Sequence, residues 1–202
     1  MMYDTLIKGA LVTLTMIVGL QFFPIDTITQ PTQQKFVLSK GIGCPYACFT
    51  DYGPLITALY NAKKDDVIEI ELNQNRGGKI NVMLEIVEAM RASKALIYTS
   101  QVGQASSCAM DILFSGDIVK VNRGYIGLAH MTSDYRDKND DLIPFFQYFK
   151  KFLTRKQFHD FINDADIHLY GKTVCKVGKG TYEGDYCIIY TRTTKNDTVH
   201  GV

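Results

Sequence analysis

Gly103-Gln104-Ala105-Ser106-Ser107-Cys108-Ala109 is the stretch on which the reading of this chain turns. It follows Ala95-Leu96-Ile97-Tyr98-Thr99, an apolar run with the profile of a buried strand. It precedes Met110-Asp111-Ile112-Leu113-Phe114, which reads as a helix. A turn of small residues between strand and helix can present a serine hydroxyl at the helix start. Backbone N–H groups there favour a developing oxyanion. The same small residues also serve simply to let a helix pack closely on a sheet, so the turn by itself leaves both readings open.

The flanking sequence narrows the choice. Upstream, Asp66-Val67-Ile68-Glu69-Ile70-Glu71-Leu72-Asn73 alternates apolar and acidic residues with the period of a strand. It runs through Gln74-Asn75-Arg76-Gly77-Gly78 into a segment where Ile80, Met83, Leu84, Ile86, Val87 and Met90 recur at helical spacing. A glycine pair admits positive φ and leaves a backbone N–H bare, which suits an ordinary turn or half of an oxyanion hole. Downstream, Asp117-Ile118-Val119-Lys120-Val121 and Tyr125-Ile126-Gly127-Leu128-Ala129 read as a strand pair ending at His130.

This order, strand–Asn-x-x-x-Gly-Gly–helix–strand–Gly-x-Ala-x-Ser–helix–strands–His, resembles the Clp protease proteolytic subunit, and most of all the shorter Clp-protease-like proteins of bacteriophages. The resemblance spans roughly residues 35 to 175. It implies an α/β fold of the ClpP/crotonase type, a repeated β-β-α superhelix, here with a C-terminal helix and an added C-terminal β-hairpin. It places Ser107 on the family's nucleophile, His130 on its general base, and Gly78 and Cys108 on the oxyanion N–H donors. Asp166 fits the third member best, with Asp164 in reserve. The implied activity is serine endopeptidase cleavage of unfolded proteins or peptides. The implied partners are a polypeptide substrate, further copies of the chain in a ring, and, in some relatives, an ATP-dependent unfoldase. The chain lacks the proline of the family's Asn-Ser-Pro-Gly-Gly loop. It has Cys108-Ala109 where a hydrophobic residue and glycine usually follow the nucleophile. The His130–Asp166 interval, which forms the handle through which family rings pair, is short.

The chemistry stands without the family. Serine needs a base within hydrogen-bond reach, and histidine titrates near working pH. A carboxylate on the far ring nitrogen fixes the tautomer. The chain has only four histidines; His159 and His168 lie in or after a charged helical stretch, and His200 is in the tail. Lys120 is the alternative base for a Ser–Lys dyad. Two other function classes remain open: a catalytically silent relative with an assembly role, and a crotonase-type acyl-CoA enzyme. The latter seldom needs a serine at 107 or a histidine at 130.

A hydrophobic content of 46% is ample for one core, and a formal charge of +1 gives no push toward nucleic acid. The expected organisation is an apolar N-terminal segment and linker over 1–33, a Clp-protease-like domain over 34–192 and a tail over 193–202. Residues 9–25 carry no charge and are mostly apolar. They read as a membrane anchor, a packing helix or a propeptide, so the location is cytoplasmic (in a host cell) or membrane-anchored. Five cysteines, an odd number, do not suggest a disulfide framework. Cys44 and Cys48 lack a second ligand pair, so no metal is expected, and the chemistry calls for no cofactor. Leu142 to Leu153, Phe-rich and capped by Asp140-Asp141, is expected to be a helix suited to subunit packing. Thr181 to Tyr190 is expected to be a hairpin or edge strand.

Overall fold

The alternation of Val67 to Leu72 decides the architecture. In a computed structural model, which describes residues 31–39, 41–43, 52–131, 149–163 and 165–191, this segment is strand β2 (Val67–Leu72). Its apolar members Ile68, Ile70 and Leu72 are buried, and the acidic ones lie on the other face. There Lys35 meets Glu69 at 3.1 Å and Glu71 at 2.6 Å. Period-2 alternation thus sorts core from charge across one sheet.

Among the described residues that sheet has six strands. β1 (Gln33–Leu38), β2, β3 (Leu96–Gln101) and β4 (Ile118–Asn122) run parallel, with Phe36, Ile70, Thr99 and Val119 in one row. The connections are α1 (Gly53–Asn61), α2 (Ile80–Ala92) and α3 (Cys108–Leu113). Met83, Ile86, Val87 and Met90 of α2 are buried, as their helical spacing requires. The Asp66 carboxylate accepts the N–H groups of Thr32 and Lys63, both at 2.8 Å, and so ties the entries of β1 and β2 together.

The expected pairing of the two strands before His130 is not found. β5 (Tyr125–Ala129) leaves the main sheet and pairs antiparallel with β6 (Ile167–Tyr170) in a separate ribbon. Both edges of β4 are already taken, by β3 on one side and by β8 on the other, which leaves no edge for β5. The buried Gln101 side chain, which accepts from Asn122 N–H and donates to the Tyr125 and Ile126 carbonyls, links the two strands instead.

The C-terminal part is added to the other edge of the sheet. The hairpin β7 (Thr181–Glu183) and β8 (Tyr186–Tyr190) is present, turning at Gly184 with φ 58°, and β8 runs antiparallel to β4. Before it, α5 (Gly171–Val177) is a helix with no periodic signal in the sequence. A disulfide joins Cys175 of α5 to Cys187 of β8, which corrects the expectation drawn from the odd cysteine count. An odd total does not preclude one bridge between elements that the fold brings side by side.

Of the expected helix over Leu142 to Leu153 only the end is described, where Phe149 is helical. Lys150–Phe152 is a short 3₁₀ turn. Thr154 and Gln157 then form a capping box that starts a new helix, α4 (Arg155–Ile162). Phe149 and Phe152 are buried against Phe114 at the end of α3, with centroids 5.4 and 4.3 Å apart, so these two rings pack within the chain. Residues 1–30, Cys44, Cys48, 132–148, Asp164 and the tail lie outside the described residues, as do the readings made on them. No helix among the described residues is long and apolar enough to cross a membrane.

Candidate active site

Beyond the C-terminal ends of β1, β2 and β3 the chain does not simply turn back. The three segments that leave these strands meet again. Ile42 forms an isolated parallel bridge with Gly78, and Asn75 forms one with Ala105. The crevice past the carboxyl ends of parallel strands is where α/β folds place their ligands.

The turn between β3 and α3 carries the strain. Ser107 has φ 52° and ψ −135°, outside the regions an L-residue prefers. Such a conformation costs about 1–3 kcal/mol and persists only where surrounding bonds hold it. They do so here. Ala105 N–H donates to Ile126 O at 2.9 Å and Ser107 N–H to Leu128 O at 2.8 Å, locking the turn onto β5. The approach is so close that a Cβ on Gly127 would stand 1.9 Å from the Ala105 carbonyl oxygen. Only glycine fits there.

The two adjacent serines have different surroundings. Ser106 is buried, and its hydroxyl accepts from Leu128 N–H at 3.1 Å and from Gln104 Nε2 at 2.8 Å. Ser107 Oγ instead lies 2.9 Å from Nε2 of His130, the residue that follows β5. The ladder holding the turn to β5 is therefore also what delivers the histidine to the serine.

Gly77 and Gly78 both have positive φ, 87° and 156°. A Cβ on Gly77 would stand 2.7 Å from Ser107 Cβ and 2.9 Å from the Cys108 nitrogen, so this glycine lets the loop close against the serine turn. Cys108 is buried and its Sγ donates to the Gly78 carbonyl at 3.2 Å. The Gly78 N–H has no acceptor among the described residues.

Ser107, His130, Gly78 and Cys108 are thus brought together. Asp166 is exposed, and no hydrogen bond joins it to His130. It stands just before β6, where Ala129 pairs with Ile167; one further step of that antiparallel register sets Asp166 opposite His130. Lys120 projects from the far face of the main sheet, over the Tyr186 ring at 4.4 Å, and does not serve Ser107. Asn75 was not singled out as a site residue from the sequence. It is buried, and its hydrogen bonds connect the segments just described.

Residues 51–131, the segment that contains Ser107, His130 and the glycine pair, match the sequence model of the Clp protease family. No curated protein sequence matches the chain. Among solved structures the chain is similar to the ClpP protease catalytic domain from Plasmodium falciparum, at 20% identity and a TM-score of 0.45, over 67% of this chain and 76% of that one. These matches lend no support to a particular closeness to bacteriophage proteins.

Proposed function

We propose that this chain is a serine peptidase of Clp type that cleaves polypeptides through an acyl-enzyme. The observation that carries the reading is the 2.9 Å contact between Ser107 Oγ and His130 Nε2, made by a serine held at φ 52°. An assembly protein needs no such contact, and an acyl-CoA enzyme of the same fold seldom does. The family match over the same segment supports it.

In this reading His130 Nε2 accepts the hydroxyl proton as Ser107 Oγ attacks the scissile carbonyl. The oxyanion of the tetrahedral intermediate is met by the N–H groups of Gly78 and Cys108. The imidazolium then gives its proton to the leaving amine as the C–N bond breaks. A water, deprotonated by His130, hydrolyses the ester and restores the hydroxyl. Asp166 is the proposed third member, holding the ring through Nδ1.

The test is hydrolysis of an unfolded protein and of short fluorogenic peptides by the intact chain and by Ser107→Ala. Loss of about five to six orders of magnitude in turnover is expected, with the melting temperature unchanged. Undiminished hydrolysis would end the reading. Assembly into a closed ring of identical subunits belongs to the same proposal. Light scattering that reports a monomer at micromolar concentration would remove it.

A further inference from the structure

Asn75 is the point at which three segments of the site are joined. It is fully buried, with 0% exposure. Its backbone bridges the serine turn: the N–H donates to Gln104 O at 2.8 Å and the carbonyl accepts from Ser106 N–H at 3.0 Å. Its side chain reaches in two other directions. Oδ1 accepts from Gly77 N–H at 2.9 Å, and Nδ2 donates to Leu38 O at 3.2 Å.

These bonds orient one peptide group in particular. The Gly77 carbonyl accepts from Ile42 N–H at 2.8 Å. A trans peptide is planar, with its N–H opposed to its C=O. The Gly78 N–H, which belongs to that same peptide, is therefore turned away from Ile42. The Asn75 carboxamide fixes the preceding peptide through Gly77 N–H and anchors the whole loop to the end of β1.

We infer that Asn75 is a positioning residue for catalysis, holding the Gly78 N–H in register with Ser107 through the Gly77 N–H and Leu38 carbonyl bonds. It touches no substrate. The inference rests on the peptidase reading above, and it specifies how half of the oxyanion hole is kept in place. An error of about 1 Å in such a donor costs on the order of 100-fold in rate.

The experiment compares Asn75→Ala and Asn75→Ser with the unaltered chain, each assayed well below its own melting temperature. The readouts are kcat and KM for a fluorogenic peptide, and inhibition by a peptide aldehyde. The aldehyde adds to Ser107 and places an oxyanion in the hole. Asn75→Ala is expected to lose about 100-fold in kcat with KM within about threefold, and aldehyde inhibition to weaken in parallel. Asn75→Ser is expected to lose only about 10-fold, because a hydroxyl can still accept the turn N–H, though more weakly, and cannot reach Leu38. A purely structural role would lower the melting temperature and leave kcat and aldehyde binding alone.

A kcat within about threefold of the unaltered chain in Asn75→Ala overturns the inference, as does a kcat loss with aldehyde inhibition unchanged. Should Asn75→Ala not fold, Asn75→Ser decides by the same readouts. If the unaltered chain shows no Ser107-dependent turnover, the peptidase reading falls and this inference with it. If it turns over and the Asn75 variants match it, only the inference falls.

Discussion

The two ends of the main sheet are held by different means. At the β1–β3 end, the site is built from backbone hydrogen bonds between segments that have left their strands, closed by glycines that admit contact no side chain would allow. At the β8–β7 edge, α5 and the hairpin are secured by a disulfide, with Arg123 and Lys120 lying over Tyr182 and Tyr186. The first arrangement fixes the position of individual atoms, including a strained serine. The second fixes an attachment. Damage at the first end should therefore appear as lost rate with little lost stability, and damage at the second as the reverse.

Asp166→Asn tests the first half of that contrast. If Asp166 orients His130 during turnover, hydrolysis should fall by about 10²–10⁴-fold while the melting temperature holds, because the amide favours the wrong tautomer. Peptide hydrolysis and calorimetry on the same preparation read both quantities. Activity within about threefold of the unaltered chain would reduce the machinery to Ser107 and His130 alone.

Removal of the bridge by Cys175→Ser with Cys187→Ser tests the second half. The bond spans a sequence separation of 12, and its loss should cost about 2–4 kcal/mol in chemical denaturation. Turnover per folded molecule should stay unchanged. A fall in kcat instead would mean that the hairpin edge and the serine turn are coupled, and the contrast would fail.

The smallest effect is expected at Asp66, which lies in neither region. Backbone N–H bonds from Lys63 and then Thr32 hold its carboxyl below the usual carboxylate range. A lowered folded-state value means that its contribution is fully present above the ordinary unfolded value, near pH 3.9, and is lost as pH falls through the folded value. The melting temperature of the unaltered chain should drop across that acid window, and that of Asp66→Asn should drop less. Equal slopes would contradict the assignment.

These contrasts follow what could and could not be read from the chain. Val67 to Leu72 announced its strand because one face is charged and the other is core, a property of the segment itself. Ser107, His130 and the glycine pair stood in the right order along the chain, and their meeting needed only short connections. Asn75 gave no such signal, because its bonds depend on Leu38 arriving on β1 and Gln104 on the turn after β3. The departure of β5 from the main sheet was hidden for the same reason, since it follows from β3 and β8, distant in the chain, taking both edges of β4. α5 is short and begins at a glycine, so no apolar periodicity marked it. Its bridge to Cys187 became visible only once the hairpin had a position.

The proposed chemistry stands or falls with the activation of Ser107 by His130. A fluorophosphonate probe, applied to the intact chain at neutral pH and followed by peptide mass mapping, tests it most directly. One adduct is expected, on Ser107, lost in Ser107→Ala and slowed by at least about 1,000-fold in His130→Ala. A chain that takes no label, labels on Ser106, or labels equally fast without His130 would contradict it.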